Sequence, residues 1–167
     1  KCTFCNSAKT TLRSRSPASM VAQIKHLYDH YGIRQFQFYD DTFTVMKKTV
    51  LEFCALLEAE RLDVSWIGFI RGDCFSDKIA AAMKAAGCHQ VLVGVETGSD
   101  VIAERIGKPI DHAKYRRAVD IAHRHGLEVR ASFIIGSLDE TWETMEDSLN
   151  MALELDFDFV QLFISTP

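Results

Sequence analysis

The sequence predicts an α/β fold in which parallel strands alternate with helices, and two observations favour it. Five short runs rich in β-branched and aromatic residues alternate with stretches whose apolar residues recur every three or four positions. Such alternation is typical of a parallel sheet with helical crossovers, either doubly wound or closing into a barrel. No Gly-x-Gly-x-x-Gly pattern follows an early strand, so a dinucleotide-binding version of the fold has little support.

The first helix and strand have clear boundary signals. Ser16 is a favoured N-cap residue and Pro17 a favoured first helical residue, so a helix is predicted to begin there. Gly32 predicts its end, because glycine readily adopts the left-handed conformation that closes helices. The alternating run 33–39 predicts a short strand, which should end at Asp40-Asp41-Thr42.

The rest of the chain repeats this arrangement. Residues 64–70 predict the second strand, and the run 90–95 predicts a third strand that is buried on both faces. Residues 127–135 and 159–164 predict the last two strands. Helices are predicted between them, after Ser76-Asp77, from 99 to 106, from 111 to 126 and from 139 to 155. The inner faces expected for the second and last helices are Val50, Leu51, Phe53, Cys54, Leu57 and Trp142, Met145, Leu149, Ala152.

Length and composition limit the possible classes of protein. A chain of 167 residues suits one domain, and 47% hydrophobic with 25% charged residues is ordinary for a globular protein. The net charge of −4 argues against a nucleic-acid surface. No apolar run approaches the roughly 20 residues of a membrane span, and no signal-peptide pattern is present. The chain does not begin with Met, and we expect residues 1–167 to be one domain of a longer protein.

The cysteines fall into two groups. An odd number of cysteines, five, with irregular spacing does not predict a secreted disulfide framework, so a reducing, cytoplasmic setting is expected. Cys54 and Cys88 lie in apolar surroundings and are expected to be small buried hydrophobic residues. Only Cys2 and Cys5 have the spacing of metal ligands, with the aromatic Phe4 between them.

Polar residues follow four of the predicted strands. They are Asp40-Asp41-Thr42, Arg71-Gly72-Asp73, Glu96-Thr97 and Gly136-Ser137. In a barrel these strand ends converge at one edge, where active sites lie. The alternative for each is that it caps the following helix, since Asp, Ser and Thr are common N-caps. Glu96 fits that alternative least well, because a carboxylate directly after a buried strand is costly unless something binds it.

These motifs, in this order, resemble one family. The cysteine pair is followed by Tyr39-Asp40-Asp41-Thr42-Phe43, Val93-Gly94-Val95-Glu96-Thr97-Gly98, Phe133-Ile134-Ile135-Gly136 and Asp139-Glu140-Thr141. The chain resembles the core of the radical S-adenosylmethionine (SAM) superfamily and covers most of its partial (β/α)6 barrel. The resemblance therefore implies a partial TIM barrel that lacks its first strand.

The resemblance implies an iron–sulfur site at the start of the chain. The signature of the family is Cys-x-x-x-Cys-x-aromatic-Cys, whose three thiolates hold a [4Fe–4S] cluster, and Cys2-Thr3-Phe4-Cys5 is similar to its second half. The first cysteine would lie four residues before Cys2. We therefore expect this piece alone to be inactive, because it lacks one cluster ligand.

The resemblance also implies a site for SAM, from which such enzymes generate a 5′-deoxyadenosyl radical that removes hydrogen from the substrate. Asp40, Asp41 and Thr42 would receive the ammonium group of SAM, and Glu96 its ribose or methionyl end. Lys108 would pair with the methionyl carboxylate, or else be a solvated loop lysine. Further cofactor contacts are expected from Phe4, Arg71, Arg130, Ser132 and Gly136, the last beside adenine.

Two of these residues carry expectations of their own. In the strand 127–135, Arg130 and Ser132 share a face with Glu128 and Ile134, which should point into the barrel. A buried arginine needs a partner, and Glu96 or the carboxylate of the cofactor would serve. The alternative for Arg71 is a salt bridge to Asp73.

Within the family the chain looks most like the cobalamin-dependent branch, which includes the anaerobic magnesium-protoporphyrin IX monomethyl ester oxidative cyclase. Cobalamin would be bound by a domain upstream, and substrate by a region downstream. The resemblance implies a small-molecule substrate, for example a tetrapyrrole, and a reductant protein such as flavodoxin or ferredoxin.

Three other functions remain open. Methylthiotransferases share similar motifs. A zinc or thiol-redox module could use Cys2 and Cys5, although no second Cys/His pair has ligand spacing. A non-catalytic binding barrel would bind neither iron nor SAM.

Overall fold

The fold is a five-stranded parallel sheet with helical crossovers. The structure, a computed structural model, describes residues 2–5, 11, 13–40 and 43–165. The strands are β1 (Gln35–Phe38), β2 (Ser65–Ile70), β3 (Cys88–Glu96), β4 (Glu128–Ile135) and β5 (Phe159–Ile164). They pair in the order β1-β2-β3-β4-β5, and the sheet curls into a half-barrel with helices around it. The predicted partial barrel is confirmed.

In the part of the chain that the structure describes, six α-helices and one short 3-10 turn precede or connect the strands. They are α1 (Pro17–Tyr31), the 3-10 turn (Phe43–Val45), α2 (Lys47–Ala59), α3 (Asp77–Ala85), α4 (Asp100–Arg105), α5 (His112–Arg124) and α6 (Trp142–Glu154). Ser16 caps α1 by accepting from the Ser19 N–H at 3.3 Å, and Gly32 closes it with a φ of +66°. Asp111 caps α5 through the Lys114 N–H at 3.0 Å. Ser76 occupies the N-cap position of α3 but makes no side-chain cap bond.

The core lies between the sheet and the helices. Its densest part is an aromatic cluster in which the Trp66 ring meets Phe38, Phe43 and Phe53 at centroid distances of 5.3 to 5.7 Å. The Trp66 indole N–H donates to the Ala86 carbonyl at 2.7 Å, so the buried ring keeps a polar partner. Phe43 closes this cluster, so the 3-10 turn that follows β1 is anchored by its own apolar residue.

The prediction for the inner face of α6 is wrong in part. Trp142 and Leu149, expected inward, are 80% and 59% exposed, whereas Met151 and Leu155 are buried. The helix also begins at Trp142 rather than Asp139, because Thr141 and Thr144 form a capping box. The rotation of α6 follows from a polar contact: the Ser148 hydroxyl accepts from the Gly98 N–H at 2.8 Å and so faces the sheet.

Candidate active site at the carboxyl ends of the strands

The cysteine loop lies at the carboxyl ends of the strands. The Thr3 N–H donates to the Ile106 carbonyl at 2.9 Å, which ties the loop to the turn after α4. Cys2 and Cys5 are half-buried, and Phe4 is 46% exposed. The raised pKa of Arg71 comes chiefly from its hydrogen bond to Asp73, and that of Tyr115 chiefly from burial; the charge of Cys2 adds a smaller contribution to each.

Glu96 ends β3 in an unusual conformation. Its φ is +74°, and the pairing with β4 shifts register between Gly94 and Glu96, so Val95 forms a bulge. The side chain folds back over Gly94, where a Cβ would lie 2.4 Å from the Glu96 Oε1. Gly94 is therefore required for the position of the carboxylate.

Lys108 reaches the same point from the turn after α4. Its ammonium donates to the Glu96 Oε1 at 2.8 Å and to the Gly94 carbonyl at 2.7 Å. The two side chains are only 27% and 14% exposed. Lys108 is therefore not a solvated loop lysine. Because Glu96 pairs with Lys108, it is not the partner that the sequence suggested for Arg130.

Tyr115 is a member of the site to which the sequence motifs give no role. Its hydroxyl donates to the Gly94 carbonyl at 3.2 Å, beside the Lys108 ammonium. Burial, together with the negative charges of Glu96 and Cys2, raises the pKa of Tyr115 to about 12. The hydroxyl is thus a hydrogen-bond donor throughout the neutral range. In the sequence it shows only as an apolar ring on the buried face of α5.

Thr97 and Gly98 have a packing role. The Thr97 hydroxyl is buried against the Ser148 hydroxyl at 3.3 Å, and it accepts from the Ser99 N–H at 3.1 Å. A Cβ at Gly98 would lie 2.4 Å from the Asp147 carbonyl oxygen. These residues press the loop after β3 against α6, which explains a small residue at Gly98.

Arg130 and Ser132 lie on the concave face of β4, as predicted. Val129, Ala131 and Phe133 are buried under helices, while the alternate residues are more exposed. Arg130 pairs in register with Phe159, and its guanidinium carbon lies 5.4 Å from the centre of that ring. The Arg130 Nε is buried without a hydrogen-bond partner among the described residues. An anionic group of a ligand would satisfy it.

The turn after β4 contains a second residue that the sequence analysis did not assign. Gly136 has a φ of +86°, and its N–H and that of Ser137 both donate to the Glu140 Oε2. The other carboxylate oxygen, Oε1, is buried and lacks a partner within the described ranges. An ion pair between Arg105 and Asp139 joins this turn to α4. In the sequence, Glu140 stands within the Asp139-Glu140-Thr141 motif, four residues after Gly136, from whose N–H it accepts a hydrogen bond.

The strand ends of β1 and β2 complete the edge. Arg71 forms a bidentate salt bridge with Asp73, at 3.0 and 2.6 Å, so the alternative foreseen for it is present. The Arg71 N–H also donates to the Thr44 hydroxyl at 3.2 Å, which links the ends of the two strands. Asp40 follows β1 and is exposed. Asp41 and Thr42, predicted to receive the ammonium of SAM, lie outside the described residues.

Two further cysteines, Cys54 and Cys88, differ from the loop pair because they are buried. Burial raises the pKa of Cys54 and of Cys88 to about 12, so both stay as neutral thiols. Within the described ranges, no group of three Cys, His, Asp or Glu side chains is placed to hold a metal ion. Nor does any helix there have the length and apolar character needed to cross a membrane.

Comparison with protein families gives one match over most of the chain. The profile described as "Radical SAM superfamily" matches residues 1–152.

Curated relatives that match over nearly the whole chain include a methyltransferase and a cyclase. An uncharacterized methyltransferase of Pyrococcus horikoshii is 39% identical over 169 residues, covering 99% of this chain and 37% of that protein. The anaerobic magnesium-protoporphyrin IX monomethyl ester cyclase of Rubrivivax gelatinosus is 28% identical, covering 99% of this chain and 31% of that protein. The chain thus spans about a third of the length of these relatives.

Solved structures that share the fold over most of the chain include a cobalamin-containing methyltransferase. It is the radical S-adenosylmethionine methyltransferase TsrM of Kitasatospora setae, which was solved with cobalamin and a [4Fe–4S] cluster bound. Its TM-score is 0.79 at 19% identity, and the match covers 90% of this chain and 29% of TsrM.

Proposed function

The chain belongs to the radical SAM superfamily, and from this premise we propose that it is the core of a cobalamin-dependent radical SAM enzyme that methylates a small molecule. The observation that carries the proposal is the arrangement of the cysteine loop. The Thr3 N–H of this loop is hydrogen-bonded to the Ile106 carbonyl. Two residues later, the Lys108 ammonium binds the Glu96 carboxylate. Thiols and a polar site for a charged ligand therefore lie side by side.

The cysteine loop fits an iron–sulfur cluster. Cys2 and Cys5 are accessible and three positions apart, unlike the buried Cys54 and Cys88. Arg71 and Lys108 belong to the same edge of the sheet, where each is paired with a carboxylate, Asp73 and Glu96 respectively. Cys2 and Cys5 would supply two of the three thiolates, with Phe4 beside them, and the third would come from the longer protein. When bound, the reduced cluster supplies the electron that cleaves SAM into methionine and a 5′-deoxyadenosyl radical.

The strand ends fit the polar groups of SAM. Glu96 can accept hydrogen bonds from the ribose or the ammonium group, and Lys108 can pair with the methionyl carboxylate. Arg130, with its unpartnered Nε, and Ser132 offer donors from the concave face of β4. Gly136 lets the backbone approach a flat base closely, and the Glu140 carboxylate holds its turn. Asp40, Asp41 and Thr42 are proposed for the ammonium group.

Relatives favour methyl transfer as the reaction. The relative that is 39% identical is described as a methyltransferase, and the structural neighbour is a methyltransferase with cobalamin bound. We propose that cobalamin is held by a domain outside residues 1–167, and that a flavodoxin or ferredoxin reduces the enzyme. The second candidate is oxidative cyclisation of a tetrapyrrole, which the cyclase of Rubrivivax gelatinosus favours at 28% identity.

Product analysis separates these reactions. The protein, in a form extended to the length of its relatives, would be reconstituted anaerobically with iron, sulfide and hydroxocobalamin, reduced, and incubated with SAM. We expect both 5′-deoxyadenosine and S-adenosylhomocysteine by liquid chromatography and mass spectrometry. The first reports radical formation, and the second reports departure of the methyl group of SAM.

The outcomes differ for each candidate. A cyclase would produce 5′-deoxyadenosine without S-adenosylhomocysteine. It would also consume the magnesium-porphyrin ester when that compound is added. Iron-loaded protein that yields neither nucleoside would contradict the radical proposal altogether. A Glu128→Gln variant serves as the control, because Glu128 lies at the exposed amino end of β4, away from the strand ends, where it accepts from the Gln90 side chain at 2.9 Å.

A further inference from the structure

We propose that Tyr115 is a positioning residue of the SAM site: its hydroxyl holds the Gly94 carbonyl and thereby fixes the bulge that presents the Glu96 carboxylate. The inference rests on the proposed function, since it assumes that Glu96 contacts SAM. Neither the family match nor the sequence motifs assign a role to Tyr115, which lies on α5 and follows Lys108 by seven positions.

The bulge creates the need for such a residue. Up to Gly94 the strand β3 pairs regularly with β4, with Gly94 opposite Ser132. The register then shifts, and Glu96 lies opposite Phe133. A bulge interrupts the ladder locally, so backbone groups there need other partners. The Gly94 carbonyl finds two of them, the Lys108 ammonium at 2.7 Å and the Tyr115 hydroxyl at 3.2 Å.

The conformation of Glu96 depends on this support. Its φ of +74° lies in the left-handed region, which disfavours a residue with a side chain. Such a conformation persists only when surrounding contacts enforce it. Lys108 contributes one contact to the backbone and one to the carboxylate of Glu96 itself. If Lys108 turns towards the carboxylate of SAM, the Tyr115 hydroxyl still holds the Gly94 carbonyl from the helix side.

The chemistry of a buried tyrosine suits this role. Tyr115 is only partly exposed and packs against the core, so its ring is fixed by α5. Since burial raises its pKa to about 12, the hydroxyl keeps its proton and remains a donor at neutral pH. Because the ring belongs to α5 and packs against the core, the distance between its hydroxyl and the bulge is set by a helix and a strand rather than by a loop.

The test compares SAM affinity in variants of the extended, iron-loaded protein. Tyr115→Phe keeps the ring and removes only the hydroxyl. We expect the dissociation constant for SAM, measured by anaerobic equilibrium dialysis, to rise about 3- to 10-fold, as for loss of one hydrogen bond. Iron content should stay unchanged. The matched control is Tyr28→Phe, whose ring lies on α1 under Arg34 and should leave SAM affinity unchanged.

A double variant tests whether Tyr115 acts through Glu96. In a Glu96→Gln background, Tyr115→Phe should add less than a twofold further loss, because the group it positions is already altered. A full additional loss in that background would overturn the inference. An unchanged dissociation constant in the single variant would also overturn it. If the thermal midpoint of that variant fell at the same time, the role of Tyr115 would be merely structural. Failure of the wild-type protein to bind SAM would instead reject the proposed function.

Discussion

Glu96 is the residue on which most of the site depends. Its backbone has a left-handed conformation, and its carboxylate occupies the space that a side chain at position 94 would fill. Lys108 forms a salt bridge with this carboxylate. Left-handed backbone at a non-glycine residue costs on the order of 1–3 kcal/mol, and such strain clusters at functional sites. A salt bridge to Lys108 offsets this cost, and the strained geometry points the carboxylate at the concave side of the sheet.

Substitution of Glu96 should weaken SAM binding. Glu96→Gln keeps the shape but removes the charge that accepts hydrogen bonds from the ligand. Loss of a charged hydrogen bond corresponds to about 1.5–3 kcal/mol, so the dissociation constant should rise about 10- to 100-fold. The measurement is a SAM titration of the iron-loaded, extended protein. An unchanged constant, with Glu128→Gln as the reference, would remove Glu96 from the site.

The thiols should also differ in reactivity. Cys54 and Cys88 have a pKa of about 12 because of burial, so almost no thiolate exists at pH 8. We expect iodoacetamide at pH 8, applied to the native iron-free protein, to label Cys2 and Cys5 and to spare Cys54 and Cys88. Peptide mass spectrometry reads the pattern. Equal labelling of all four would show that the loop thiols have no special exposure.

At the scale of elements, the loop after β3 is fixed by α6. Gly98 lies so close to this helix that a Cβ would be 2.4 Å from the Asp147 carbonyl oxygen and 2.6 Å from the Ser148 Cα. Both atoms are backbone and cannot move without shifting the helix. The contacts of Thr97 and Gly98 with Ser148 thus hold the two residues that follow Glu96 against α6.

A methyl group at Gly98 should therefore destabilise the fold. We expect Gly98→Ala to lower the free energy of unfolding by about 2 kcal/mol or more, as overpacking does. Gly72→Ala is the matched control, because its Cβ would meet nothing closer than 3.4 Å and should cost less than about 1 kcal/mol. Urea unfolding followed by circular dichroism measures both. Equal midpoints would contradict the packing role of Gly98.

Local sequence signals predicted where helices and strands lie better than they predicted how these elements pack together. Ser16, Pro17 and Gly32 set the limits of α1 because capping depends on neighbouring residues only. The face of α6 was missed because the apolar pattern ranks Trp142 and Leu149 above Ser148, whereas a hydrogen bond to Gly98 orients the helix. Polar contacts over long sequence distance leave no periodic trace in the sequence.

The candidate site likewise combines local features that the sequence predicts with long-range contacts that it does not. Period-two geometry placed Arg130 and Ser132 on the concave face correctly, because alternation is a property of the strand. The pairing of Glu96 with Lys108 and the hydroxyl contact of Tyr115 depend on a bulge, which apolar patterning does not reveal. Motif order predicted where the site lies, and the structure adds how its groups are held.

At the scale of the molecule, the parallel sheet brings the polar ends of β1 to β4 to one edge. The cysteine loop meets that edge through the Ile106 carbonyl. The far strand, β5, is exposed along its length, from 45% at Val160 to 80% at Ile164. The central claim for the whole molecule is that thiols at this edge hold a cluster beside a SAM site.

Iron content of cysteine variants tests this claim most directly. The extended protein, reconstituted anaerobically with iron and sulfide, would be compared as wild type, Cys2→Ala, Cys5→Ala and Cys54→Ala, with iron per protein measured beside the electron paramagnetic resonance spectrum of the reduced form. We predict a [4Fe–4S] signal in the wild type and in Cys54→Ala, and its loss in both loop variants. Equal iron and equal spectra in all four proteins would contradict the account.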